Sequence, residues 1–257
     1  LSGIKDSHVT WRGDFVANNI SDADRTNFGT GKEAHYNCKE VLGDRPCRNG
    51  YAYSNREMSV ALKHVAIIRS IAEAAKKGAA KSKSVLQKYS LVIEDDQFLP
   101  KEILRQIVEV LLQTPEHLGL VMLDDSFFFN GAFSPPENLL KYPFPLTYEK
   151  NATRTVGAYL LSDAAAIQLA DGKDFLPLYS PVDHQLQFAL KKSSILTHWM
   201  FPPMTCAGSQ GLEPGSSSTG GITMDPGDRL GCRTCCNRFY NTTNMEDIYT
   251  IAVRPHL

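Results

Sequence analysis

Three consecutive carboxylates follow a short apolar run near the middle of the chain. Residues 90–93, SLVI, contain no charged side chain, and Glu94, Asp95 and Asp96 come directly after them. An unbroken apolar, β-branched run of this length predicts a strand buried on both faces, as in a parallel sheet. Ligands of open α/β sheets bind at the carboxyl ends of strands, and adjacent anions repel one another unless a cation answers them. The stretch therefore predicts a divalent-metal site at a strand end.

The composition is that of a globular protein with a sizeable core, since 42% of the 257 residues are hydrophobic and 21% are charged. A formal net charge of -1 provides no bulk attraction for nucleic acid or for a membrane surface. No apolar run reaches the roughly eighteen residues of a transmembrane helix, so we expect no such segment in this chain. We expect one domain over residues 1–257, with residues 206–257 as a Gly/Ser- and Cys-rich extension of lid-like composition.

Cysteines and sequons bear on the cellular compartment. The six cysteines are Cys38, Cys47, Cys206, Cys232, Cys235 and Cys236, and three Asn-X-Ser/Thr sequons begin at Asn19, Asn151 and Asn241. An even number of cysteines in loop-like sequence favours disulfides, and the sequons favour the same oxidising, lumenal compartment. A zinc site on Cys232, Cys235 and Cys236, in a cytoplasmic protein, is the alternative.

Helical and strand patterns alternate from residue 54 onward. Ser54 and Glu57 form a capping-box pattern, and a helical stripe follows as Ala61, Val65, Ile68, Ala72 and Ala75. Pro100 is expected in the first turn of a second helix, whose stripe comprises Ile103, Leu104, Ile107, Val108 and Leu111. Two further helices are expected, one from Ser162 to near Gly172 and one opening at Asp183.

Two more apolar strands are expected at residues 119–123 and 155–161, and Asp124 and Asp125 end the first of them. Four prolines between residues 126 and 150 argue against regular structure there, so we expect a loop at an active site or acceptor site. Strands that alternate with helices predict an α/β fold with a mainly parallel sheet.

Four motifs resemble glycosyltransferase family 25, the group that contains lipopolysaccharide and procollagen galactosyltransferases. They are NREMSVALKH at 55–64, LVIEDD at 91–96, TVGAYLLS at 155–162 and PVD at 181–183, in the family's order and spacing. The sequence departs from the family at Arg56, where a glycine is usual, and at Lys63, where a serine is usual. The family's opening nucleotide-binding strand is not found.

The resemblance implies a GT-A fold, which is a Rossmann-like α/β fold with a mainly parallel sheet and helices on both faces. It further implies a UDP-sugar donor, a Mn²⁺ or Mg²⁺ cofactor, inversion at the anomeric carbon, and a protein or glycan hydroxyl as acceptor. Carboxylate oxygens suit these hard cations better than zinc. Asp96 is the expected metal ligand and Asp95 a metal or ribose contact, while Asp183 is the expected general base.

Several other residues are candidates for the site. The expected donor or acceptor contacts are Glu94, Glu57, Gly157, Tyr159 and His184. Further candidates are His64, Asp124, Asp125 and His198, of which the two aspartates are an alternative metal site. Some of the candidates have a structural explanation as well: a capping box for Glu57, a core position for His64 and, for the expected base Asp183, a helix N-cap.

Two other functions are compatible with the same residues. A non-catalytic relative that keeps the fold as a binding module would explain the departures at Arg56 and Lys63. A metal-dependent phosphoester hydrolase would use the same carboxylates, but it needs further Asp and His ligands at other strand ends. Only Asp124, Asp125 and His198 are available for that role.

Overall fold

The computed structural model describes residues 15–27, 54–79, 89–94, 97–100, 103–112, 117–124, 146–149, 156–176, 178, 181–201, 204–207 and 248–250. The α-helices in these ranges are α1 (Asp22–Asn27), α2 (Asn55–Ala79), α3 (Ile103–Leu111), α4 (Asp163–Asp171) and α5 (Val182–Lys192). The strands are β1 (Tyr89–Ile93), β2 (Gln97–Pro100), β3 (Leu120–Met122), β4 (Leu146–Glu149), β5 (Ala158–Ser162), β6 (Thr197–Phe201), β7 (Cys206–Ala207) and β8 (Ile248–Thr250). No helix in the described ranges has the length and apolar character needed to cross a membrane.

The chain divides into two compact units. The helical unit comprises Leu1–Lys88 and Asp163–Ile195, and the sheet unit comprises Tyr89–Ser162 and Leu196–Leu257. Helices α1, α2, α4 and α5 belong to the helical unit, whereas α3 and all the described strands belong to the sheet unit.

Helix α2 begins and packs as its sequence predicts. The Ser54 hydroxyl accepts the Glu57 amide at 3.2 Å, and Glu57 Oε2 accepts the Ser54 amide at 2.9 Å, which completes the capping box. The predicted stripe is buried at every position: Ala61, Val65, Ile68, Ala72 and Ala75. This face lets α2 pack against α4 and α5. The predicted helix and its buried side are confirmed.

The central sheet of the sheet unit has five strands in the order β1-β5-β3-β6-β4. Strand β5 runs antiparallel to both of its neighbours, β1 and β3, and β4 runs antiparallel to β6. Among these pairings, only that of β3 with β6 is parallel. The fold is α/β with a mixed sheet, and the prediction of a mainly parallel sheet is wrong.

Two-sided burial gives β5 the apolar sequence that is typical of a parallel strand. All five residues of β5 are buried, and successive side chains of a strand point to opposite faces, so both faces of this strand are covered. A central antiparallel strand that is covered on both faces has the same unbroken apolar sequence as a parallel one. The apolar run of β5 therefore reports burial and carries no information about direction. The apolar run of β1 does not report burial, because β1 is an edge strand in which only Val92 is buried. The prediction of a strand buried on both faces at residues 90–93 is wrong.

Helix α3 covers one face of this sheet. Its Ile103, Ile107 and Val110 pack against sheet residues that include Val121 and Leu160. Burial of such aliphatic side chains contributes roughly 1.5–3 kcal/mol each to the stability of the unit. The predicted stripe is right for Ile103 and Ile107 but wrong for Val108, which is 55% exposed while Val110 faces the core.

A second, three-stranded sheet lies next to the acidic stretch in the chain. Its order is β7-β2-β8, and both outer strands run antiparallel to β2. Pro100 belongs to β2, where it is aligned with Ile248, so its expected place in the first turn of α3 is wrong. The predicted lid, residues 206–257, is described only at β7 and β8.

One further loop prediction needs correction. Strand β4 lies within residues 126–150, so the prediction that this whole stretch is irregular is wrong. Its prolines, Pro135, Pro136, Pro143 and Pro145, all precede the strand, so they leave its hydrogen-bonding amides intact. The remainder of that stretch and all six cysteines except Cys206 lie outside the described residues.

Candidate functional site

The acidic ends of two strands meet at one edge of the five-stranded sheet. Strands β1 and β3 are both antiparallel to β5, so they run in the same direction and end at the same edge. Ile93, the last residue of β1, is aligned with Ala158, and Met122, the last of β3, is aligned with Tyr159. We call this the carboxyl edge. Glu94 and Asp124 both follow their strands here, with only the start of β5 between them.

Gly157 connects the two acidic strand ends directly. Its carbonyl accepts the Glu94 amide at 2.7 Å, and its own amide donates to Asp124 Oδ2 at 2.8 Å. The Asp124 carboxylate is fully buried, and a charge-assisted hydrogen bond from a backbone amide is one of the few ways to stabilise such a group. The backbone of Gly157 therefore lies close to the protein's own acidic residues.

A pair of neutral side chains completes this buried polar group. The Thr205 hydroxyl donates to Gln97 Oε1 at 2.9 Å, and both residues are almost completely buried. Thr205 also forms a parallel bridge with Asp124. The Gln97 amide donates to the Glu94 carbonyl at 3.2 Å, which joins the two residues that flank Asp95 and Asp96 in the sequence. Glu94, Gln97, Asp124, Gly157 and Thr205 are called the strand-end cluster below.

Gly157 has no room for a side chain. A Cβ built on it would collide with the Gln97 side-chain amide and would lie 3.2 Å from Asp124 Oδ2. The position therefore requires glycine because of the close packing of the cluster around it. This requirement explains the glycine that the sequence places one residue before β5.

The backbone beside Gly157 is strained. Val156 is buried and has φ 34°, in a region that β-branched residues rarely adopt. Such a conformation costs on the order of 1–3 kcal/mol and persists only where the surrounding structure imposes it. Strain of this kind concentrates at functional sites, so its presence at the carboxyl edge supports a functional role for that edge.

Tyr159 lies inside the sheet unit. Complete burial of its phenol, together with the negative charge of Glu94, raises the pKa of Tyr159 well above its ordinary value. Because Tyr159 has no exposed surface, it does not offer a direct contact to a donor or acceptor from this position.

The described residues do not by themselves form a metal site. Nowhere in the described ranges do three His, Cys, Asp or Glu side chains converge as a bound metal would require. The predicted ligands Asp95 and Asp96, and the alternative Asp125, lie outside those ranges. Glu94 and Asp124 have the hard oxygen donors that Mg²⁺ and Mn²⁺ prefer, but Asp124 is buried and bonded to the Gly157 amide.

The structure places His198 away from the carboxyl edge. It lies on β6 and is aligned with Val121, three residues before Asp124. At the usual rise per residue of a strand, three residues correspond to about 10 Å, so His198 lies about that far along the sheet from Asp124. His198 therefore does not lie beside Asp124, and a role for it as a further metal ligand stays a prediction.

Two candidates lie on α2 in the helical unit. Glu57 accepts both the amide and the hydroxyl of Ser54 through Oε2, so its carboxylate holds the start of the helix. His64 is 3% exposed and shares the buried side of α2, as expected for a core histidine. A donor or acceptor contact by Glu57 stays a prediction.

Asp183 and His184 lie in the first turn of α5, also in the helical unit. Pro181 is the N-cap of this helix, so the explanation of Asp183 as an N-cap is wrong. Asp183 is the second helical residue, and its Oδ1 accepts the His184 amide at 2.9 Å. A carboxylate in the first turn is favoured by the helix dipole, which is a structural reason for an aspartate here.

Sequence reasoning missed Gln97 and Thr205. Gln97 directly follows the three carboxylates in the sequence. A polar residue at that place could have been identified as part of the site. Thr205 offers no such signal, because its partner Gln97 is 108 residues away in the chain.

No protein-family model matches this chain, and comparisons with curated proteins and with solved structures also gave no match. A function is therefore inferred from the chain's own residues and their geometry.

Proposed function

We propose that this protein is an inverting, metal-dependent glycosyltransferase. It would move a sugar from a nucleotide-diphosphate donor, such as UDP-galactose or another UDP-hexose, to a hydroxyl of a protein or glycan. The observation that carries the proposal is the meeting of two acidic strand ends at one edge, joined through Gly157. The α/β architecture is compatible with a GT-A fold, which is the finer fold assignment that we propose.

The chemistry of the donor explains the acidic run. A diphosphate carries negative charge, so it cannot approach Asp95 and Asp96 unless a divalent cation lies between them. We assign Asp96 as the ligand of Mn²⁺ or Mg²⁺, and Asp95 as a second ligand or a ribose contact. When bound, such a cation supplies Lewis-acid stabilisation of the departing diphosphate.

The protein's own residues would support this site from the interior. Glu94 is half-buried and is held by the Gly157 carbonyl through its amide. Asp124 follows β3 at the same edge and is completely buried, so we assign it a structural role as the acceptor of the Gly157 amide and not a role as a metal ligand. For the general base that takes the proton from the acceptor hydroxyl we propose Asp183, because a carboxylate can accept that proton.

A non-catalytic binding module is the second candidate, and the departures at Arg56 and Lys63 favour it. It would bind a UDP-sugar through the same acidic run without cleaving it. A phosphoester hydrolase is less well supported, because Asp124 is buried and His198 lies about 10 Å along the sheet from it.

A panel of nucleotide sugars with Mn²⁺ separates these functions. Both donor hydrolysis and sugar transfer should be scored, with Asp96→Ala as the inactive variant and Asp171→Asn as a control that changes an exposed carboxylate elsewhere. We expect turnover of at least one UDP-sugar by the wild type and the control only. Binding without turnover would favour the module, and cleavage of simple phosphoesters would favour the hydrolase.

We also propose that the protein resides in the lumen of the secretory pathway. The Asn19 sequon supports this location, because Asn19 and Ser21 are both exposed on the helical unit. After expression through a secretory pathway, glycosidase treatment should lower the mass of the wild type. The same treatment should remove one glycan fewer from Asn19→Gln, and equal mass losses would contradict modification at this site.

A further inference from the structure

We infer that Gln97 and Thr205 are positioning residues that hold the acidic stretch Glu94–Gln97 at the carboxyl edge. The inference deepens the proposed function and rests on it for the identity of the bound cation. Neither side chain is a catalytic residue, since both are almost completely buried. Their role is to fix the two ends of the stretch that carries Asp95 and Asp96.

The contacts around this stretch form a closed path. Glu94 is fixed by its amide, which donates to the Gly157 carbonyl, and Gly157 in turn donates to Asp124. Gln97 is fixed by its side chain, which accepts the Thr205 hydroxyl. The Thr205 amide donates to the Leu123 carbonyl at 3.1 Å, immediately before Asp124. Both ends of the acidic stretch are thus attached to the end of β3.

Repulsion between carboxylates makes such a brace necessary. Glu94, Asp95 and Asp96 are consecutive in the sequence, and like charges close together are destabilising unless a cation is bound. A neutral hydrogen bond between Gln97 and Thr205 restrains the stretch without adding charge. Residues of this kind orient metal ligands in other sites, and their loss typically costs about 10–100-fold in metal affinity.

The brace also connects the acidic stretch to a distant part of the sequence. Thr205 directly precedes β7, and β7 pairs with the first two residues of β2, Gln97 and Phe98. The side-chain hydrogen bond and the strand pairing therefore act on the same residue, Gln97. A change at Thr205 should be transmitted to the acidic stretch through this one position.

The test compares Thr205→Val with Thr205→Ser. Valine keeps the shape of threonine but cannot donate to Gln97, whereas serine retains the hydroxyl.

The first readout is hydrogen exchange of the Gln97 backbone amide, which donates to the Glu94 carbonyl. This measurement requires no metal. The second is Mn²⁺ affinity measured by calorimetry. We expect Thr205→Val to exchange faster at Gln97 and to bind Mn²⁺ about 10-fold more weakly. Thr205→Ser should resemble the wild type.

A double variant separates positioning from simple stability. Leaving the Gln97 side-chain oxygen buried without the Thr205 hydroxyl lowers stability, whereas replacing both of these groups by apolar groups of similar shape costs less. Gln97→Met combined with Thr205→Val should therefore recover part of the thermal stability that Thr205→Val loses, while Mn²⁺ affinity stays reduced. Full recovery of Mn²⁺ affinity in the double variant would overturn the positioning role.

The outcomes also distinguish this inference from the proposed function. Unchanged Gln97 exchange in Thr205→Val would overturn the brace, whatever the wild type binds. If the wild type bound no Mn²⁺ but Gln97 exchange still rose in Thr205→Val, the brace would stand and the metal-dependent function would fail.

Discussion

The amide of Gly157 donates a 2.8 Å hydrogen bond to the buried carboxylate of Asp124. Through this bond and through its carbonyl, Gly157 holds the ends of β1 and β3 together at the carboxyl edge. The relationship depends on the absence of a side chain at residue 157, since an added Cβ would meet both Gln97 and Asp124.

Gly157→Ala should therefore destabilise the protein. The added methyl group must displace the side-chain amide of Gln97 and crowd Asp124 Oδ2. Overpacking of this kind costs about 1–3 kcal/mol. Gly78→Ala is the matched control, because an added Cβ there meets nothing within 4 Å and alanine favours a helix by about 0.5–1 kcal/mol. Urea unfolding should show opposite shifts for the two variants. A Gly157→Ala protein as stable as the wild type would contradict the packing described here.

Ser194→Gly should stabilise the helical unit. Helix α5 ends in a Schellman motif, in which the Ile195 amide donates to the Leu190 carbonyl at 2.9 Å and Ser194 has φ 52°. A non-glycine residue in this conformation costs roughly 1–2 kcal/mol, so glycine should raise the free energy of unfolding by about 1 kcal/mol. Ser193→Gly is the control, because φ is -83° there and glycine brings no relief. Equal effects of both substitutions on thermal unfolding would count against this helix end.

Stability should fall at alkaline pH because of Tyr159. Burial and the charge of Glu94 raise the pKa of Tyr159, so the folded protein keeps this proton while the unfolded chain loses it above about pH 10. Below about pH 10 the contribution of Tyr159 to the free energy of unfolding is complete. Above about pH 10 this contribution decreases by at most about 1.4 kcal/mol for each pH unit. Unfolding measured against pH should show a shallower alkaline decline for Tyr159→Phe than for the wild type.

Tyr89→Phe is the comparison for that experiment. Burial also raises the pKa of Tyr89, although this residue is only half-buried. Its hydroxyl donates to the Leu118 carbonyl at 2.8 Å, so its loss should cost about 1 kcal/mol at neutral pH. Because the pKa of Tyr89 is raised as well, Tyr89→Phe should also make the alkaline decline shallower, but by less than Tyr159→Phe, since Tyr159 is completely buried. An unchanged alkaline decline in Tyr159→Phe would show that this tyrosine does not ionise differently in the folded state.

Asp183→Asn should leave donor binding intact and remove transfer. Asparagine can still accept the His184 amide through its side-chain oxygen, but it cannot take a proton from an acceptor hydroxyl. Loss of general-base catalysis should lower kcat by about 100-fold or more. Asp171→Asn, which changes an exposed carboxylate paired with Lys76, should keep full turnover. If Asp183→Asn also kept full turnover, the base would have to be sought elsewhere.

Local interactions made parts of this fold predictable. The start of α2 depends on Ser54 and Glu57, three residues apart, and its buried stripe depends on helical spacing alone. The end of β1 before Glu94 is equally local, because an apolar run gives way to charge. These features were read correctly from neighbouring residues.

Non-local pairing was not predictable in the same way. The direction of β5 depends on its partners β1 and β3, and a buried strand has the same apolar sequence in either direction. Thr205 reaches Gln97 across 108 residues, and no spacing rule connects them. The sequence therefore predicts an acidic run at the end of β1, but it does not predict that Gln97 and Thr205 pair beside it.

Calorimetry of UDP binding tests the central claim most directly. The wild type should bind UDP in the presence of Mn²⁺ and lose that binding after chelation, because the diphosphate reaches Asp95 and Asp96 only through a cation. Asp96→Ala should not bind under either condition, whereas Asp171→Asn should behave as the wild type. Equal UDP affinity of the wild type with and without chelator would contradict a metal-dependent nucleotide site at the carboxyl edge.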